Sequence, residues 1–167
     1  MDYKKIYFFF IFLFISITIT SCSYTSIYSF FYPIKTIEIG DFSEEMNIHI
    51  PRRSISFDFK KNIENYILKH NPSYLALKDG DIILEGKFLD YAIIPTENYS
   101  LKKIQITVKI CYKDNLEPEQ NWEQNFIVSE YFYYKKNLFL EEIINKIIEK
   151  LTIQVYQKIF YENNNNL

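Results

Sequence analysis

Residues 104–112 read IQITVKICY. Successive side chains of an extended chain point to opposite faces, so Ile104, Ile106, Val108, Ile110 and Tyr112 line one side, and Gln105, Thr107, Lys109 and Cys111 the other. One face is apolar and one polar. The segment is therefore a strand that covers a core with one face and meets water with the other, the pattern of an antiparallel sheet layered on one side only.

Working outward, GDIILEGKF (residues 80–88) sets Ile82, Leu84 and Phe88 opposite Glu85 and Lys87, and the phase then switches to Leu89, Tyr91 and Ile93. A switch of phase inside a strand predicts a bulge near Asp90. Asp79-Gly80 marks a tight turn between two β-rich runs. Residues 95–103, PTENYSLKK, read as a polar loop, as do residues 113–121, KDNLEPEQN. Beyond the second loop, Trp122, Phe126 and Val128 share one face of a further strand. Upstream, Ile37 and Ile39 alternate with Thr36 and Glu38 in a first strand, and this strand and the one at Trp122 are the candidates for sheet edges. Two segments change period. Ile55, Phe59, Ile63, Tyr66 and Ile67 recur at three or four residues, with Ser54 or Ser56 as N-cap and Asn71-Pro72 as stop. Leu140, Ile144, Ile147, Ile148, Leu151 and Val155 do the same in a second helix. The expected fold class is α+β: a two-layer sandwich with two helices packed on one face of a mostly antiparallel four-stranded sheet, in the order β-α-β-β-β-α.

The chain opens with MDYKK and an apolar run from Ile6 to Ile19, 14 residues long. A membrane-crossing helix needs about 20 residues, a secretory signal peptide only about 7 to 15. Ile19, Thr20, Ser21 and Cys22 close the run and resemble the bacterial lipobox, in which small residues admit the peptidase and the thiol receives diacylglycerol. The expected organisation is a lipoprotein signal peptide over 1–21, a lipidated tether over 22–33, an α+β domain over 34–161 and a disordered tail over 162–167. Several acyl chains on Cys22 give stable anchoring where one is marginal. Ser23, rather than an Asp, follows the cysteine and points to the outer membrane, at its periplasmic face. Cys111 is then the sole remaining cysteine, so the mature domain folds without an internal disulfide.

Nineteen basic against 21 acidic residues give a net charge of −2, with no basic stripe for nucleic acid. The three glycines form no phosphate loop. His49 and His70 stand in no metal-ligand spacing, and His70 reads as a partner of the helix C-terminus. The expectation is a non-enzyme with no cofactor or metal beyond the covalent lipid on Cys22. Arg52-Arg53 and Lys102-Lys103 place cations side by side in loops, suited to phosphates or carboxylates. The polar face of the Ile104 to Tyr112 strand, together with the aromatics of EYFYY (residues 130–134), forms a second candidate interface.

In order along the chain, the lipobox Cys22, YSF at residues 28–30, KTIEIGDF at 35–42, GDIILEG at 80–86, ITVKICY at 106–112, WEQNF at 122–126 and the long C-terminal amphipathic helix resemble the LPS-assembly lipoprotein LptE family in its Bacteroidetes form. The resemblance implies an α+β body that plugs and supports the outer-membrane β-barrel LptD during transport of lipopolysaccharide to the outer leaflet. Its partners are then LptD, lipopolysaccharide and the membrane, with Arg52, Arg53, Lys102 and Lys103 as contact candidates. The alternative is a periplasm-facing lipoprotein that binds an apolar or glycan ligand. An enlarged apolar pocket between sheet and helices favours the alternative, and a filled core favours the plug.

Overall fold

A computed structural model of the chain describes residues 34–45, 54–97, 100–133 and 140–162. The expected signal peptide and tether with Cys22, the segment with His49, Arg52 and Arg53, Tyr134 and the last five residues lie outside the described residues. The elements below belong to one unit that begins at Lys35.

Five strands and two helices follow one another as β1 (Ile37–Glu44), α1 (Ile55–His70), β2 (Leu75–Ala76), β3 (Ile82–Pro95), β4 (Leu101–Asp114), β5 (Trp122–Tyr133) and α2 (Leu140–Gln157), the last running on into a π turn, Lys158–Glu162. The sheet order is β2-β1-β3-β4-β5. The α+β layout agrees with the sequence pattern, but the sheet has five strands rather than four and is mixed. β1 runs parallel to both its neighbours, β2 and β3, whereas β3, β4 and β5 form an antiparallel meander. A helix joins β1 to the β2–β3 segment, and a crossover of that kind returns the chain in the same direction. β5 is an edge, as its pattern allowed. β1 is not, because β2 covers it.

The inner face of the sheet is continuous. Ile37 and Ile39 of β1, Ile82, Leu84 and Phe88 of β3, Ile104, Ile106, Val108 and Ile110 of β4 and Phe126 and Val128 of β5 are all buried. Against them lie Ile55, Phe59, Ile63 and Ile67 of α1, one residue per helical turn, and Ile144, Ile147, Ile148, Leu151 and Val155 of α2. Each such side chain contributes about 1.5–3 kcal/mol when fully buried, so this layer carries the fold. Phe59 stands edge-on to Phe42 at 5.0 Å and to Phe88 at 6.0 Å between ring centroids, which seats α1 over β1 and β3.

Local chemistry fixes the element ends. Ser54 is the N-cap of α1, its Oγ accepting from the Phe57 N–H at 3.2 Å. Glu44, at the end of β1, accepts from Ser54 Oγ and from the Ser56 N–H, both at 2.8 Å, and so ties strand end to helix start. At the other end His70 Nδ1–H donates to Tyr66 O at 2.8 Å, which agrees with the expected role at the helix C-terminus. The expected bulge is present: β3 shifts register against β4 between Phe88 and Asp90. The Asp79-Gly80 turn does something the pattern did not announce. It carries the chain from β2 to β3 past β1, with Asp79 at φ 56° and Gly80 packed so that a Cβ would lie 2.6 Å from Glu38 N.

Candidate interaction surface

The odd-numbered side chains of β4 and β5 project from the sheet face that, among the described residues, carries no helix. Two regions divide this outer face. In the first, Lys87 of β3 stands directly opposite Lys109 of β4. Like charges in that position repel, and each turns to its own carboxylate: Lys87 Nζ to Glu45 at 2.7 Å, Lys109 Nζ to Glu123 at 2.5 Å. A third pair, Lys113 with Glu85 at 2.5 Å, completes the lattice. Between them lies an open depression of about 420 Å³, lined by Asp41, Glu85, Lys87, Lys109, Cys111 and Glu123 among others. The Cys111 thiol donates to Glu123 Oε2 at 3.3 Å. Burial, with the Glu123 carboxylate beside it, pushes the thiol above its ordinary range, so the nucleophilic thiolate is disfavoured.

The second region is apolar. Ile127, Tyr131 and Tyr133 of β5 are 60%, 59% and 64% exposed and share the outer face. Phe132, between the two tyrosines, turns inward against the core. This region coincides with the aromatic segment picked out in the sequence, and the structure adds Ile127 to it.

Lys102 and Lys103 require a correction. They do not sit in a loop but in β4, where Lys102 pairs with Pro95 and Phe132, and Lys103 with Ile94 and Tyr131. Consecutive strand residues face opposite ways, so the two cations do not stand side by side. Lys103 shares the outer face with Tyr131, whereas Lys102 lies on the helix side. Both are half-buried. Cys22, Arg52 and Arg53 lie outside the described residues.

A polar cluster that sequence reasoning missed closes the opposite end of the sheet, where β1 begins. Asp114, 2% exposed at the end of β4, takes Lys35 Nζ on one carboxylate oxygen at 2.7 Å. Its other oxygen accepts from the N–H groups of Leu116 and Glu117 at 2.9 and 2.8 Å. Burial opposes its ionisation, but Lys35 and the two N–H groups outweigh burial and hold the carboxyl below the usual range. Next to it Asp81 accepts from Thr36 N at 2.8 Å and Thr36 Oγ1 at 2.9 Å, which lowers its pKa as well. Lys35 and Asp114 are 79 residues apart in sequence, and no local signal links them.

Among the described residues no group of three or more His, Cys, Asp or Glu is placed to hold a metal ion, and no helix is long and apolar enough to cross a membrane.

No protein-family model and no curated protein matches the chain. Solved structures do match. Protein XCC0632 from Xanthomonas campestris, described as DUF330, superposes with a TM-score of 0.60 at 8% identity, covering 80% of this chain and 89% of that one. Protein CT253 from Chlamydia trachomatis gives 0.54 at 7% identity over 77% and 99%. A minor lipoprotein from Acinetobacter baumannii aligns more loosely, at 0.44 and 14% identity over 76% and 92%. Identities this low speak for a shared fold alone, and the first two structures share the α+β layout described above.

Proposed function

We propose that this chain is a lipid-anchored, non-catalytic assembly subunit of the outer membrane, held through Cys22 at the periplasmic face. In that role it offers the outer face of its sheet to a larger protein partner. The resemblance to the LptE family makes the LptD barrel that partner and lipopolysaccharide transport the process. One observation carries this reading over the ligand-binding alternative: the space between sheet and helices is filled. Phe59, Phe88, Ile106, Ile110, Ile144 and Ile147 meet there at 0–1% exposure. An apolar ligand would have to displace them, at a cost of several kcal/mol for each emptied site.

The surface suits a polar lumen. A barrel interior is polar, and the ion-paired half of the outer face meets such a wall with its charges already matched. Ile127, Tyr131 and Tyr133 add an apolar anchor of the kind that dominates protein interfaces. Lys103 stands beside them, and with Arg52 and Arg53 it supplies cations for lipid A phosphates or wall carboxylates.

The test is affinity purification of the tagged lipoprotein from detergent-solubilised outer membranes of its host, followed by mass spectrometry. Stoichiometric recovery of a large outer-membrane barrel is the expected result. Recovery of the lipoprotein alone, from membranes where the barrel is intact, sinks the proposal. That outcome favours the second reading, a glycan-binding module, for which the open depression of about 420 Å³ with its charged lining is the natural seat.

A further inference from the structure

β5 is a long edge with few of the features that blunt edges. Strand edges present unpaired N–H and C=O groups, and natural proteins usually protect them with proline, lysine, bulges or short length. β5 runs 12 residues, WEQNFIVSEYFY, contains neither proline nor lysine, and pairs with β4 from Trp122 to Tyr133 without a register shift. Among the described residues it has one neighbour.

The open side of β5 follows from the ladder. Ile82 N–H bonds to Thr36 O, so even residues of β3 before the bulge face β1, and odd ones face β4. Glu85 pairs with Cys111 and Leu84 with Tyr112. Odd residues of β4 therefore face β3, and even ones face β5. Tyr112 pairs with Trp122 and Val108 with Phe126. The backbone groups of Glu123, Asn125, Ile127, Ser129 and Tyr131 are left pointing away from the sheet. The Tyr131 N–H agrees with this, since it meets the Glu130 carboxylate at 3.3 Å rather than a β4 carbonyl.

We infer that β5 pairs antiparallel with β5 of a second copy of this chain, about a two-fold axis at Ile127, to make one continuous sheet. The sequence of the edge selects that occupant and that register. Centred on Ile127, the pairs across the axis are Ile127 with Ile127, Phe126 with Val128, Asn125 with Ser129, Gln124 with Glu130, Glu123 with Tyr131 and Trp122 with Phe132. Apolar meets apolar, amide meets hydroxyl or carboxylate, and no carboxylate faces another. Moving the axis one residue either way destroys the match. Centred on Phe126, Trp122 faces Glu130, Gln124 faces Val128 and Asn125 faces Ile127. Centred on Val128, Phe126 faces Glu130, Gln124 faces Phe132 and Ile127 faces Ser129. Cross-strand pairs are the unit of sheet stabilisation, and a two-fold interface must be complementary to itself. One register of three meets both demands.

This inference goes beyond the assembly-subunit reading and does not depend on it, because the register is a property of the edge alone. The experiment uses the full-length lipoprotein purified in detergent without any barrel. Cys111→Ser serves as the background, so that the introduced thiols are the ones followed. Facing residues of a hydrogen-bonded antiparallel pair have Cα atoms about 5.5 Å apart, within disulfide reach. Ile127→Cys is expected to form a covalent dimer under mild oxidation. Asn125→Cys alone is expected not to, while Asn125→Cys mixed with Ser129→Cys is expected to give the heterodimer. Ile127 is exposed, so Ile127→Lys leaves the fold intact by circular dichroism. It sets two ammonium groups across the axis and is expected to raise the dimer dissociation constant about tenfold or more. A monomer at all accessible concentrations overturns the inference. So does a dimer in which Ile127→Cys fails to cross-link, or one that Ile127→Lys leaves unchanged. A barrel recovered from membranes together with an uncross-linked Ile127→Cys protein rejects the self-pairing while leaving the proposed function standing.

Discussion

Lys35 Nζ lies 2.7 Å from Asp114 Oδ2, and this pair joins the residues just before β1 to the end of β4. The Asp114 side chain is fully buried while Lys35 keeps about a quarter of its surface, so the two partners are not equivalent. Asp114→Ala leaves the N–H groups of Leu116 and Glu117 without their acceptor and leaves Lys35 with Glu117 Oε2, at 2.9 Å, in place of two carboxylates, and is expected to lower unfolding free energy by about 2 kcal/mol. Lys35→Met leaves the carboxylate with its two N–H donors and is expected to cost about 1 kcal/mol. Urea unfolding of both variants checks the order, and equal losses would contradict the role assigned to the loop N–H groups.

Three hydrogen-bonded carboxylates at the two ends of β1 set an acid limit. Asp114, Asp81 and Glu44 are all held below their ordinary values: Asp114 by Lys35 and loop N–H groups against the effect of burial, Asp81 by Thr36, Glu44 by Ser54 and Ser56 against burial. Depressed folded-state values mean that the unfolded chain takes up protons first as pH falls. The stabilisation is complete above the free carboxyl range, near pH 4, and is lost below it as pH falls toward the folded-state values. Urea midpoints are expected to stay flat from pH 7 to about pH 5 and to drop below about pH 4. Asp114→Asn should flatten that drop.

Gly86 sits on the inner side of β3 with the Phe42 ring against it. A Cβ there would lie 2.7 Å from Lys109 O and 2.8 Å from Phe42 Cε1. The carbonyl cannot retreat without opening the β3–β4 ladder, so Gly86→Ala is expected to cost about 1–3 kcal/mol. Gly40→Ala is the control. Its added carbon meets the side chains of Glu85 and Ile83, which can rotate, and the loss should be smaller. Thermal unfolding of the two variants side by side decides it.

Much of this architecture was legible because its signals are periodic. Ile55, Phe59, Ile63 and Ile67 announce a helix face, Ile104 to Ile110 announce a half-buried strand, and the change of phase after Phe88 announces a bulge. What escaped was non-local or too short. β2 is Leu75 and Ala76 alone, and two residues have no period. The parallel pairing of β1 with β3 leaves no mark in either strand's composition. Asp79-Gly80 reads as a turn from sequence, but its task, passing β1, depends on Glu38 from another strand. Lys102 and Lys103 read as loop residues because they follow a polar segment. The sheet extends through them, since Ile94, Pro95, Tyr131 and Phe132 supply pairing partners that sequence proximity does not reveal.

The two lysines separate the proposed outer-face contact from a general effect of charge. Lys103 shares that face with Ile127, Tyr131 and Tyr133, while Lys102 lies on the opposite side, beside Phe132. A partner that docks on the outer face should sense one and not the other. Lys103→Glu and Tyr131→Ala are each expected to reduce barrel recovery in the affinity purification about tenfold, as loss of a central interface contact does. Neither should move stability by more than about 1 kcal/mol, because Tyr131 is exposed and Lys103, though half-buried, stands on the outer face of the sheet. Lys102→Glu adds the same charge and should leave recovery unchanged. Equal losses from the two lysine variants would mean that charge, rather than face, governs the association, and the outer face would lose its claim to the contact.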